Sequence, residues 1–160
     1  MKENEKDFAD LVKQYKSSVY SVCYMFAKDA DEADDLFQEV LINLWKGMAM
    51  FRHESKIGTW IWRVSFNTCI SADRRRKRNK EVRLSMDIDL FESTDEDTRQ
   101  IQMLHNRIHR LKPFDRAIVM LWLEGISYEE IGAIVGISVK NVSVRLVRIK
   151  EMLKQMSDRD

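Results

Sequence analysis

The chain has 160 residues, 44% hydrophobic and 33% charged, which suits one ordinary domain or two small ones and supplies enough apolar content to pack them. That composition excludes a disordered tail. No apolar run approaches the roughly 20 residues of a membrane span, and the charged, periodic N-terminus argues against a signal peptide. The formal net charge of +1 hides strong segregation. Residues 1–51 carry six basic and ten acidic side chains, 52–86 carry ten and three, 87–98 carry six acids and no base, and 99–160 return to +4. Such sorting offers different surfaces to different partners, one of them polyanionic. Two cysteines, Cys23 and Cys69, sit in apolar settings that predict reduced, buried thiols and an intracellular protein. One proline and five glycines point to an all-α chain.

Phe8, Leu11, Val12, Tyr15, Val19, Val22, Cys23 and Phe26 recur at three- and four-residue spacing and predict a first helix from about residue 4 to 27. Lys28 to Asp31 breaks it, and Asp31 or Asp29 can cap the next helix, with Glu32, Asp34 and Asp35 favourably placed at its positive end. That helix carries Leu36, Phe37, Val40, Leu41, Leu44, Trp45 and Met48. The arc is wider than one packing face needs, which fits either a central bundle helix packed on two sides or one in which Phe37, Leu41 or Trp45 serves a partner as well as the core. Phe51 to Gly58 reads as a polar connection in which Gly58 breaks the pattern and Thr59 is a possible cap. Trp60, Ile61, Val64, Phe66 and Ile70 open a third helix that ends in Arg74-Arg75-Arg76-Lys77-Arg78-Asn79-Lys80. Cations suit a helix C-terminus. Six among seven residues repel one another, however, and predict a phosphate-contacting surface.

From Leu84 to Thr98 the chain is acidic and lacks a helix period, the composition of a flexible linker. The expected domains are therefore 1–83 and 99–156, joined by 84–98. Beyond the linker, Ile101, Met103, Leu104, Ile108 and Leu111 predict a helix ending near Lys112-Pro113, and Asp115 to Leu123 another, with Trp122 expected in the core. A short helix from Ser127 to Val135 then meets Gly136-Ile137-Ser138 and a basic second helix carrying Lys140, Arg145, Arg148 and Lys150. This is the layout of a helix-turn-helix DNA reader. Gly132 permits a close crossing, Gly136 supplies the turn and Ser138 caps the second helix. Ile131, Val135, Ile137, Val142 and Leu146 form the small core between the two helices. Lys140, Asn141, Val144 and Arg145 are the expected groove-facing residues, and Arg148 the expected phosphate contact.

These residues resemble a bacterial sigma factor of the σ70 family, in the extracytoplasmic-function group that retains only regions 2 and 4. Asp34 to Trp45 resembles region 2.2. Phe51 to Lys56, with Thr59 to Val64 and Asn67, resembles the segment that opens promoter DNA. Arg74 to Arg78 resembles the end of region 2.4. Leu111, Asp115-Arg116, Leu123 to Gly125 and Ser127 to Gly132 resemble region 4, and Ser138 to Lys150 its −35 helix. Ile57 stands at a loop position where the family pattern has a small or polar residue.

The resemblance implies two helical domains, a region 2 bundle and a four-helix region 4 unit with its helix-turn-helix. It implies that Asp35, Leu36, Gln38, Glu39, Asn43 and Trp45 bind the clamp helices of the polymerase β′ subunit, with region 4 on the β flap. Arg52, His53, Lys56, Trp60, Arg63 and Asn67, with Arg74, Arg75, Arg76 and Arg78, are expected at the −10 element. Ser138, Lys140, Asn141, Val144, Arg145 and Arg148 are expected at the −35 element. Core RNA polymerase and promoter DNA are the implied partners, with no catalysis and no cofactor. Because neither an N-terminal inhibitory region nor a C-terminal regulatory domain is recognised, control by a separate anti-sigma factor is implied. The implied location is cytoplasmic, without membrane insertion, held near the inner membrane where such a partner is present.

A helix-turn-helix regulator that is not a polymerase subunit explains Gly125–Lys154 but leaves the Asp34–Trp45 surface without work. A metal-dependent nuclease using Asp34, Asp35 and Glu39 is a weaker alternative, since acids at a helix start already compensate its dipole. His105 and His109 share one helical face but lack a third ligand nearby in sequence.

Overall fold

The computed structural model describes residues 2–51, 56–78 and 96–156, and all its regular structure among them is α-helical. The chain divides into two compact units, Met1–Arg83 and Leu84–Asp160. The first holds α1 (Lys2–Phe26), α2 (Ala30–Met48) and α3 (Ile57–Arg78), each packed on the other two. The helical spacing read from the sequence becomes burial: Val19, Val22, Cys23 and Phe26 of α1 face Ala33, Leu36, Val40 and Leu44 of α2. Ile61, Phe66 and Cys69 of α3 complete the core, and Phe26 meets Phe66 edge-on at 6.1 Å. Each such side chain contributes about 1.5–3 kcal/mol by leaving water.

Asp29 is the α2 cap, its carboxylate accepting from the Glu32 amide at 2.8 Å; Asp31, the other candidate, lies within the first turn. Gly58 does not break the third helix. It lies inside α3, Ile57 begins the helix instead of standing in a loop, and Thr59 is buried and not a cap. A Cβ at Gly58 would sit 3.4 Å from the Tyr15 hydroxyl, an ordinary contact distance.

The second unit holds α4 (Glu96–His109), α5 (Pro113–Leu123), α6 (Tyr128–Val135) and α7 (Val139–Gln155). Of the expected linker, 84–95 lies outside the described residues, while Glu96 to Thr98 already belong to α4. α4 stops at His109, and α5 begins two residues before the expected Asp115. Pro113 takes the first helical position, where its missing N–H costs nothing, and holds Lys112 extended. Arg116 crosses this corner from a buried position and donates to the carbonyls of His109 at 2.7 Å and Leu111 at 2.8 Å. Trp122 is only half buried, because one face of its ring is open to the Lys150 ammonium at 4.2 Å.

The helix-turn-helix is built from local chemistry. Ser127 caps α6 by accepting from the Glu130 amide, and Ser138 caps α7 by accepting from the Asn141 amide, both at 3.2 Å. Gly136 ends α6 at φ 84, a conformation that costs an L-residue side-chain strain. A Cβ on Gly132 would lie 2.6 Å from the Ile137 carbonyl oxygen, so the close approach is to the turn itself. Ile131, Val142 and Leu146 are buried, while Val135 and Ile137 are half-buried at the edge.

Candidate polymerase and nucleic-acid surfaces

α2 buries Ala33, Leu36, Val40 and Leu44, which turns Asp35, Gln38, Ile42 and Trp45 outward at steps of three, four and three residues. Ile42 is 52% exposed and Trp45 45% exposed, the latter edge-on to Phe8 of α1 at 5.1 Å. The stripe therefore begins acidic and ends apolar. Of the six residues expected to bind polymerase, Asp35, Gln38 and Trp45 share it. Leu36 does not: it is a core residue, 4% exposed, and its side chain reaches no partner. Asn43 and Glu39 turn toward α3, where Asn43 donates to the Thr68 hydroxyl at 2.9 Å and Glu39 accepts from Arg75 at 3.0 Å. Ile42 is absent from the sequence candidates, although its offset from Val40 and Leu44 marks it as outward-facing. Phe37 and Leu41 are half-buried. Two of the three acids proposed for a metal site are engaged elsewhere: Glu39 by Arg75, and Asp34 by the Tyr20 hydroxyl at 2.9 Å, a carboxylate that, with burial, raises the Tyr20 pKa. No group of three metal-ligating side chains occurs among the described residues.

Lys56, just ahead of α3, and Trp60, Arg63, Asn67 and Arg74 on it follow one another at helical spacing opposite the buried Ile61, Ser65 and Cys69. Lys56, Asn67 and Arg74 are exposed and Trp60 and Arg63 half-buried, forming a polar and cationic stripe with one aromatic. Trp60 stacks on Phe51 at 5.0 Å and lies against Gly47, so its ring has a fixed orientation. The terminal arginines separate by role. Arg74 is exposed, Arg75 is engaged by Glu39, and Arg76 turns inward to the Phe26 carbonyl at 3.3 Å and Glu32 at 3.1 Å. Arg76 thus fastens the end of α3 to the α1–α2 corner, which removes it from the expected DNA-facing set. Arg52 and His53 lie outside the described residues, as does the Arg78 side chain.

On α7, Val142, Leu146 and Ile149 enter the core, leaving Lys140, Asn141, Val144 and Arg148 exposed. Arg145 differs from its expected placement. Its guanidinium donates to Asp115 at 3.0 Å and lies over the Phe114 ring at 4.7 Å, so α5 holds it at the side of the helix. Ser138 acts through its cap. Sequence reasoning missed the partnership because Asp115 and Arg145 lie 30 positions apart.

Two family models match the chain, Sigma-70 region 2 over residues 11–79 and Sigma-70, region 4 over residues 101–153. The chain is 31% identical to the ECF RNA polymerase sigma factor SigW of Bacillus subtilis, across 99% of this chain and 94% of that protein. It is 30% identical to SigE of Mycolicibacterium smegmatis, matching 91% of this chain but 59% of that longer protein. Among solved structures, the sigma factor RpoE of Bartonella quintana, in complex with the anti-sigma factor NepR, superposes with a TM-score of 0.74 at 22% identity, covering 94% of this chain and 96% of that one. CnrH, in complex with the cytosolic domain of CnrY, gives 0.68 at 20% identity, covering 94% and 86%. Because the partner in the second of these structures is a cytosolic domain, the cytoplasmic placement expected from the sequence is corrected to one that is not strictly cytoplasmic.

Proposed function

The chain belongs to the extracytoplasmic-function group of the σ70 family, and we propose how its surfaces divide that family's work. It is a sigma factor that binds core RNA polymerase and directs transcription initiation, and it is not an enzyme. The Asp35, Gln38, Ile42 and Trp45 stripe binds the clamp helices of β′, its acid and amide meeting cations and its apolar end excluding water. Region 4 also contacts the β flap.

The α3 stripe receives the −10 element. Unstacking a base costs a few kcal/mol, which stacking and edge contacts must offset. Oriented Trp60, with Lys56, Arg63, Asn67 and Arg74 along the same face, offers an aromatic platform, edge-directed polar groups and phosphate contacts together. α7 enters the major groove of the −35 duplex, Lys140, Asn141 and Val144 toward the bases and Arg148 toward phosphate. An anti-sigma factor binds this chain as NepR and the cytosolic domain of CnrY bind their sigma factors, and it holds the chain near the inner membrane. No helix among the described residues is long and apolar enough to cross a membrane.

The observation that carries this reading is the pairing of an exposed, mixed acidic and apolar α2 face with a capped helix-turn-helix in the other unit. A regulator that is not a polymerase subunit has no use for the first. Reconstitution with core polymerase, followed by transcript mapping across the source genome, tests it. Expected are a stable holoenzyme and start sites sharing two upstream elements. Start sites identical to those of core alone refute it.

A further inference from the structure

Of the three exposed valines of α7, Val139 begins the helix, and the other two are out of place within a solvated one. Val144 is 47% exposed and Val147 68% exposed, adjacent on the face opposite the buried Val142, Leu146 and Ile149. The fold does not account for them. They contribute nothing to the core, and valine is a poorer helix former than the alanine, lysine or glutamate that usually occupies such positions. Their surroundings indicate what covers them. Lys140 and Arg148 flank Val144 at one helical turn on either side, Asn141 lies beside it, and no acidic side chain stands on α7 between Val139 and Lys150. The first acid, Glu151, falls one turn beyond Val147, away from the N-terminal turns that face base edges. A cation-flanked aliphatic patch suits a polyanion with apolar groups on its recognised edge. The major groove offers one such group, the 5-methyl of thymine. Because Arg145 is held by Asp115 and Phe114, the outward readers are few and the valines make up much of the available surface.

We propose that Val144, flanked by Val147, reads a thymine 5-methyl group in the −35 duplex. This rests on the −35 reading of α7 and adds to it a chemical group at one base pair. Lys140 and Asn141 supply polar edge contacts, and the valine distinguishes thymine from bases that lack the methyl.

The test uses the full chain in holoenzyme and a promoter fragment whose upstream segment is randomised and selected by binding. Each thymine of the selected −35 element, on either strand, is then replaced singly by deoxyuridine, which removes the methyl and leaves pairing intact. One position is expected to lose about fourfold in affinity, the value of burying one methyl group. Val144→Ala is expected to bring that thymine-to-uracil ratio close to one. Val147→Ala is expected to lower the ratio part of the way. Indifference of the wild-type holoenzyme at every thymine overturns the proposal and leaves a protein partner as the cover of the patch. So does a methyl effect that persists unchanged in Val144→Ala, or a selected element without thymine. Selection of no upstream element at all defeats the −35 reading itself, a result distinct from the other three.

Discussion

Arg145 shows how a side chain's partner changes its assignment. With Asp115 at 3.0 Å and the Phe114 ring beneath it, its guanidinium is already engaged before DNA arrives. Arg145→Ala is therefore expected to destabilise the second unit by about 1 kcal/mol, measured by urea unfolding, and to leave discrimination between the correct −35 duplex and a scrambled one nearly intact. Asn141→Ala is expected to do the reverse, costing about 1–3 kcal/mol of discrimination in competition binding with little loss of stability. Gly132→Ala pits about 1 kcal/mol of helix propensity against a Cβ placed 2.6 Å from a backbone carbonyl. The clash is larger because backbone yields little, so a net loss of about 1–2 kcal/mol is expected in a thermal melt. His105 is half-buried, and desolvation lowers its pKa below the usual histidine value. The unfolded chain then binds the proton more readily, so stability is highest above the unfolded pKa and falls as pH drops through it and on through the lower folded value. His105→Gln is expected to flatten that decline, read from unfolding midpoints between about pH 7 and 5.

Elements were legible in the sequence wherever their cause is local. The Gly136 turn, the Ser138 cap and the three- and four-residue apolar spacing need only neighbouring residues, and each lies where its chemistry points. Long-range pairings were not legible. Leu36 belongs to the stretch expected to contact polymerase, yet helix phase relative to Ala33 and Val40 buries it. Arg76 belongs to a basic run, yet the Phe26 carbonyl and Glu32 draw it inward. Gly58 reads as a breaker by its low helix propensity, yet α3 runs through it. The α2 stripe yields a prediction for the whole element. Asp35→Ala combined with Gln38→Ala is expected to weaken association with core polymerase at limiting concentration by about tenfold, each lost contact being of the order of 0.5–1.5 kcal/mol. Circular dichroism is expected to stay unchanged, since both side chains are exposed. Unaltered association removes the stripe from the clamp contact.

For the molecule as a whole, the proposed reading gives the two units two separate events that a single DNA-binding domain would merge. Duplex capture is assigned to α7 and strand opening to α3. Lys56→Ala and Arg63→Ala are thus expected to reduce permanganate reactivity of promoter thymines severalfold while leaving retention of the upstream duplex by holoenzyme close to normal. Equal losses in both assays remove the special opening role. Segregation of charge along the chain pointed to separate partners, but not to a contact between residues assigned to different ones. Glu39 and Arg75 touch, at 3.0 Å, the one expected from the sequence to meet polymerase and the other to meet DNA. A free-energy cycle follows. Whatever withdraws Glu39 leaves Arg75 more available to phosphate, and by reciprocity bound DNA leaves Glu39 more available to polymerase. The pair is exposed, so its strength of about 0.2–1 kcal/mol limits the mutual enhancement to about fivefold, a modest preference for meeting promoter DNA as holoenzyme and not as the solitary chain.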